Sequence, residues 1–444
     1  MQATSLWKFR GIATAAIALG LGAASLAFAG TAASNGLSGR WTATIKQGSI
    51  VIPFRLDLSV SGDTVTGKLY NGWEDYETTS SAKIENGKVQ LNFEHYLTTI
   101  TAEVKDGELD GQVTVQHRSP INITPGAYKT DAHDYVSPFH ATRYTAVAET
   151  AEAANVPNID GVWELPYESP KGEKAFRLIV KQKGAEISAS ILRVDGDTGA
   201  LTGGWKDGKF VASHFDGSRP GVIEIAPKPD GTLTVSIRAE PRNLDFVAYR
   251  PEVARAKGLP EPANYLTHTT VRDPNEVFVY NFPDVNGKPV SNEDPRFKGK
   301  VVLAIVTGTW CPNCHDEARY LVELYKKYHD QGLEVVALDF EEADQQKSLT
   351  RVNAFIKQYG VPYTYLIAGT PDEMWDKVPQ AVNLNTWPAT LFIGRDGRVK
   401  ATYSGFAGSA SGVYNSELKE RFVSTIDRLL KESPVEQTAQ VVAR

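Results

Sequence analysis

Two cysteines, Cys311 and Cys314, are the only thiols among the 444 residues, and both lie in Trp310-Cys311-Pro312-Asn313-Cys314. A disulfide between residues so close closes a very small loop, removes little chain entropy and makes a poor structural staple. At the start of a helix the same spacing lets a dithiol cycle to a disulfide. Cys311 would meet unpaired N–H groups and the positive end of the helix dipole there, which favour its thiolate. It is the expected nucleophile, with Cys314, one turn in, as the shielded resolving thiol. A redox-active Cys311–Cys314 disulfide is thus expected, with no bound cofactor. Zinc would need two more soft ligands, and His315 alone is insufficient, so no metal site is expected. Cys311-Pro312-Asn313-Cys314-His315 also spells the c-type haem attachment string, a competing reading that the surrounding elements must decide.

Those elements are legible. Lys300 to Val306 is a short apolar run of strand type, and Pro312 suits the first turn of a helix. Ala318, Leu321, Val322, Tyr325 and Tyr328 follow at helical spacing. Strand, tight turn and a helix opening on the dithiol is the arrangement of a thioredoxin fold. From Val277 onward strands and helices alternate, an α/β pattern: strands over 333–339, 363–368, 389–394 and 399–404, helices over 348–359 and 417–431.

The region before it is built differently. Residues 37–250 carry short alternating runs punctuated by Asn71-Gly72, Asn86-Gly87, Asp106-Gly107, Asp207-Gly208 and Asp230-Gly231, the punctuation of β-hairpins. The region also repeats: Trp41 answers Trp163, Phe54-Arg55-Leu56 answers Phe176-Arg177-Leu178, and Gly62 answers Gly184, each offset by 122 residues. Two homologous all-β barrels or sandwiches are expected over 37–145 and 158–250, each with a tryptophan in its core. Arg55 and Arg177 are expected to snorkel or pair near a barrel end. His95, His117, His133 and His140 show no metal-ligand spacing. Residues 146–154 read as an Ala/Glu-rich connector, 251–275 as a Pro-rich linker, 276–432 as the redox domain and 433–444 as a flexible tail.

Residues 1–29 read as an export signal, with Lys8 and Arg10 as the charged region and Ala27-Phe28-Ala29 as the cleavage site. A retained anchor is the competing reading, although so much Ala and Gly makes the stretch weakly hydrophobic. An exported, periplasmic protein soluble after cleavage is expected. The formal charge of −6, without basic runs, argues against nucleic acid as a partner.

Three stretches resemble the TlpA/ResA-like thiol-disulfide oxidoreductases of the thioredoxin superfamily, over roughly 277–432. They are Phe282 to Val290 with Phe297 to Leu303, the Trp310–Cys314 motif followed by Glu317, and Asn385-Thr386-Trp387-Pro388-Ala389-Thr390-Leu391-Phe392-Ile393. The resemblance implies a protein-disulfide reductase with Cys311, Cys314 and Glu317 in catalysis, and with Trp310, Pro312, Trp387 and a cis Pro388 contacting substrate. It implies protein thiols and disulfides of the cell envelope as partners, apocytochrome c being one candidate, and a membrane thiol carrier of the CcdA or DsbD type as electron donor. The chain departs from the family at Ile305 and Thr307, where relatives often carry a polar or acidic group and an aromatic. Glu317 is left as the candidate proton carrier, against the plain reading of an exposed helix carboxylate. Two rivals stand beside a reductase. One is a thiol peroxidase, for which Gly308 stands where the reactive site needs a Thr and Thr309 is off by one. The other is an envelope ligand-binding protein with an accessory redox module.

Overall fold

The computed structural model describes residues 36–62, 64–118, 133–145, 156–239 and 242–433. The expected signal segment, the 146–154 connector, all of the tail beyond Ser433 and the side chains of His117 and His133 lie outside the described residues.

Strands between Gly39 and Arg143 form one nine-stranded antiparallel sheet. Its first strand, Gly39–Gln47, pairs both with Ile50–Ser61 and with the last strand, His133–Arg143. The sheet's two ends approach each other where Thr79 N donates to Gly67 O at 3.0 Å and Ser80 N to Asn92 O at 2.8 Å. Strands between Gly161 and Ala248 form a second barrel-like sheet, closed by reciprocal Glu164–Tyr249 backbone bonds of 2.8 and 3.0 Å. Asn86-Gly87, Asp106-Gly107 and Asp207-Gly208 have both residues at positive φ, the backbone that a two-residue hairpin turn requires.

Both predicted core tryptophans are buried, and they are held alike. Trp41 Nε1 donates to Leu37 O at 3.0 Å and Trp163 Nε1 to Ile159 O at 2.9 Å. Arg143 lies 4.1 Å from the Trp41 ring centroid and Arg250 lies 3.8 Å from that of Trp163. Such a cation over an indole face closes each barrel end with a contact stronger than apolar packing alone. Arg55 pairs with Asp57, and Arg177 donates to Tyr265 Oη at 2.9 Å.

The C-terminal domain is a five-stranded sheet in the order Thr364–Gly369, Leu333–Phe340, Val301–Thr307, Ala389–Ile393, Val399–Ser404. The first three are mutually parallel and the last two antiparallel. Val301–Thr307 and Leu333–Phe340 are buried along their whole length, as central strands covered on both faces must be. Helices Pro312–Tyr328, Thr350–Tyr359 and Val413–Leu430 join one core cluster through Leu321, Phe355 and Phe422. The helix expected over 348–359 runs over Thr350–Tyr359; a separate short helix, Ala343–Ser348, ends at Leu349, which takes the left-handed conformation (φ 51°) before the longer helix begins.

Residues 251–275 do not form a bare linker. Pro251–Ala256 and Tyr265–His268 are helical, and Thr270–Val271 pairs with Ala381–Val382. Tyr265 stacks on Tyr403 at 6.0 Å, so this segment caps the edge strand of the C-terminal sheet. The second barrel is not separate from that domain either, because its Ile179 and Leu192 belong to the same buried cluster as Tyr320 and Phe406.

Candidate active site

Val301–Thr307 delivers the chain to a turn, and Pro312–Tyr328 opens on the dithiol with Pro312 in its first turn and Cys311 at its N-cap. Both cysteines are free thiols, 4% and 1% exposed. The Trp387–Pro388 peptide is cis, and the Cys311 thiol donates to Trp387 O at 3.4 Å. The segment around Pro388 therefore lies against the outer sulfur. Trp310 meets Trp387 edge-on at 5.1 Å, and its Nε1 donates to Phe340 O at 2.9 Å, which fixes the indole beside the thiol. Trp310 and Pro312 are half-buried, whereas Trp387 and Pro388 are buried. Burial pushes the Cys314 thiol well up, and the adjacent Cys311 sulfur acts in the same direction. Cys314 therefore needs a proton acceptor before it can attack.

Glu317 is the candidate. It is not an exposed helix carboxylate but 1% exposed, and its Oε1 accepts from Thr390 Oγ1 at 2.6 Å. Its Oε2 is buried without a hydrogen-bond partner. Glu317, Cys314, Thr307, Tyr363 and Tyr365 line an internal cavity of ≈ 10 Å³, about the space of a single water. Desolvation raises the carboxyl to about 8, against the opposing pull of the Thr390 hydroxyl. Near neutrality Glu317 holds its proton, and it becomes a base as pH rises through about 8. Release of substrate by Cys314 should accelerate over that range, and Glu317→Gln should remove the acceleration. Stability carries the opposite sign. Between about 4.5 and about 8 the native state keeps a proton that the unfolded chain has released, so this group's stabilising contribution falls as pH rises. Urea titrations at several pH values should show native stability declining relative to the Gln variant across that window.

The loop before the dithiol is pinned by a buried ionic network that the sequence did not advertise. Thr309 N donates to Glu341 Oε1 at 2.6 Å, and Thr309 Oγ1 donates to the same oxygen at 2.5 Å. Arg351 Nε donates to Thr309 Oγ1 at 2.9 Å, and its Nη2 lies 2.6 Å from Glu341 and 3.0 Å from Glu342. With its hydroxyl donated to Glu341, Thr309 has no proton left to polarise a peroxide.

His315 stands on the other side of the loop. Its Nε2 lies 2.7 Å from Thr309 O, which can only accept, so Nε2 carries the proton and Nδ1 accepts from Tyr359 Oη at 2.9 Å. Burial holds the ring neutral, so it shapes the loop by hydrogen bonding and not by charge. Both nitrogens are engaged inside the protein, so a haem iron would have to displace one of these bonds to take His315. Glu77 of the first barrel lies 3.4 Å from the Tyr359 hydroxyl and pairs with Arg319.

Asp339 completes the buried set. It lies opposite Thr307 on the neighbouring strand, and burial together with Glu341 holds its carboxyl well above the usual range. Ile305 thus leaves its own strand without an acid, while the adjacent strand brings one close.

Residues 269–416 match the Redoxin family. The match includes both cysteines, Glu317 and the cis-proline segment. A thiol-disulfide oxidoreductase ResA from Bacillus thuringiensis (strain Al Hakam) is 34% identical over 116 residues, 26% of this chain and 60% of that protein. Over the matched residues the C-terminal domain is similar to the Redoxin family and to ResA. ResA from Bacillus subtilis (strain 168) is 33% identical over 122 residues, 28% of this chain and 62% of its own. The chain thus spans about three fifths of the length of these relatives. A thiol:disulfide interchange protein of the thioredoxin family from Chlorobium tepidum TLS superposes with a TM-score of 0.29 at 22% identity, covering 36% of this chain and 99% of that one. Every residue that the sequence placed at the site lies within the matched range: Cys311, Cys314, Glu317, Trp310, Pro312, Trp387 and Pro388. Sequence reasoning missed Thr309, Glu341 and Arg351 beneath the active loop. It also missed Asn313, whose amide Nδ2 donates to Asp195 O of the second barrel at 2.8 Å.

Proposed function

We propose that this protein is an exported, periplasmic thiol-disulfide oxidoreductase that reduces protein disulfides in the cell envelope. The observation that carries the reading is the pair of unlike thiols, Cys311 against the Trp387 carbonyl and Cys314 buried beside Glu317. The Cys311 thiolate attacks one sulfur of a substrate disulfide. A new S–S bond forms, and the other substrate sulfur leaves with the bonding pair and takes a proton. Cys314 then gives up its proton, to Glu317 where that carboxyl is ionised, and attacks Cys311, which releases the second substrate thiol. Substrate gains two electrons and two protons, and the enzyme is left as the Cys311–Cys314 disulfide. A membrane thiol carrier of the CcdA or DsbD type would restore the dithiol, and apocytochrome c is a candidate substrate. The parallel seating of Trp41 and Trp163 supports the two barrels as duplicated units that present or position substrate.

The midpoint potential of the couple tests the direction of electron flow. A reductant should lie near thioredoxin, at about −270 mV, and a value near about −120 mV would mark an oxidant. Hydrogen peroxide separates the peroxidase reading. Because Thr309 is committed to Glu341, Cys311 should react with peroxide at the rate of an ordinary thiol. Dithiothreitol-driven peroxide turnover several orders faster would favour the peroxidase.

A further inference from the structure

The face that carries the dithiol helix is contacted by another part of the same chain. The second barrel's Glu186–Arg193 strand turns through Val194 and Asp195 into Gly196–Asp197, and this turn sits against Asn313 of that helix. Three contacts place it there. Asp195 O accepts from the side-chain amide of Asn313, one of the two residues between the cysteines. Gly196 forms a parallel bridge with Phe406. Gly405, whose N–H donates to Pro388 O at 2.7 Å, lies directly under Val194. The fit depends on two missing side chains. A Cβ at Gly196 (φ 119°) would meet Phe406 O at 2.4 Å and the Asn313 amide at 2.7 Å. One at Gly405 (φ 68°) would meet Val194 O at 2.3 Å. Backbone brought this close to backbone is where glycine is required rather than merely tolerated.

The turn is also held from outside the face. Lys171 Nζ pairs with Asp195 at 2.7 Å, and Ser411 Oγ donates to Asp197 at 2.6 Å. Arg219 bridges Asp216 at 2.8 Å and Asp316 of the active-site helix at 3.1 Å, and it donates to Asn313 Oδ1 at 3.3 Å. The consequence is steric. Phe406, Trp387 and Pro388 are buried, and Cys311 is 4% exposed, so the sulfur is approached past the half-buried Trp310 and Pro312.

Resting on the reductase reading, we propose that the Arg193–Asp197 turn is a size filter over the dithiol. It admits small disulfides and disulfides carried on an extended chain, and it rejects disulfides set in a folded surface. A thin chain needs one open side to bring its sulfur to Cys311. A folded surface needs clearance on every side, and the turn removes it.

The test uses the full chain in its reduced state and two reagents with one reactive group. N-ethylmaleimide is compared with a maleimide carried on the surface of a small folded protein, and both rates are normalised to a free cysteine peptide. The native protein should discriminate against the large reagent by roughly tenfold or more. Gly196→Ala, which wedges the turn off Phe406, and Lys171→Ala, which leaves Arg193 as the cation on Asp195, should each shrink that ratio several-fold. If Gly196→Ala fails to fold, Lys171→Ala still decides the matter. Equal normalised rates in the native protein, or a ratio unmoved in the folded variants, would overturn the filter. Reduction of oxidised glutathione by the native protein, lost in Cys311→Ser, tests the reductase reading on its own. Its absence would remove that reading and leave the accessibility result intact.

Discussion

Cys311→Ser should abolish dithiothreitol-driven reduction of a disulfide-bonded peptide, while Cys314→Ser should keep the first attack and stall on a covalent complex. The asymmetry follows from the two environments. Cys311 caps the helix and faces the cis-proline segment, where an incoming disulfide can replace the Trp387 carbonyl as its neighbour. Cys314 is 1% exposed, and burial pushes its thiol up, so it cannot serve as the first nucleophile. Without Cys311 no covalent step remains, and the loss should reach the background rate of dithiothreitol alone. Without Cys314 the mixed disulfide has no internal resolving thiol, and turnover should fall to the rate at which external thiol releases it.

Arg351→Ala should destabilise the protein by about 3–5 kcal/mol at neutral pH, a large fraction of a typical domain's stability. Arg351 is 3% exposed, Glu341 0% and Glu342 1%, so the substitution strands two carboxylates in the interior beside an already protonated-leaning Asp339. Glu342 is pushed up to about 7 by burial even with the guanidinium present. Removing the cation raises Glu342 further. The variant should therefore recover part of its deficit as pH falls and Glu342 takes up its proton. Urea unfolding of native and variant at neutral and mildly acidic pH checks both magnitude and sign. The same substitution frees Thr309, so thiol reactivity should change in whatever fraction remains folded. A variant as stable as the native protein would mean that Glu341 and Glu342 find other partners.

What could be read in the sequence was local. Cys311 and Cys314 share one helical turn, and Asn86-Gly87 and Asp207-Gly208 set their own hairpins. Trp387-Pro388 sits in a segment similar to those of known relatives. What escaped is made by residues distant in the chain with no periodicity to betray them. Asn313 meets Asp195 across 118 residues, and Tyr359 meets Glu77 across 282. Glu317 could be placed on the helix face of Cys314, but its burial depended on Thr390 and the strand that carries it. The Pro-rich 251–275 segment misled because proline density marks both linkers and the first turns of short helices, and Pro251 serves the second use. Asp110 and His140 lie opposite each other on adjacent strands, with Glu108 nearby, a pairing that spacing along the chain does not reveal.

The central claim is that Cys311 attacks and Cys314 resolves. Intact-mass analysis of Cys314→Ser after brief exposure to a disulfide-bonded peptide tests it most directly. One peptide should be attached, mapped to Cys311 and released by dithiothreitol, while Cys311→Ser treated alike should remain unmodified. An adduct on Cys314 in the Cys311→Ser protein, with none on Cys311 in its counterpart, would contradict the account.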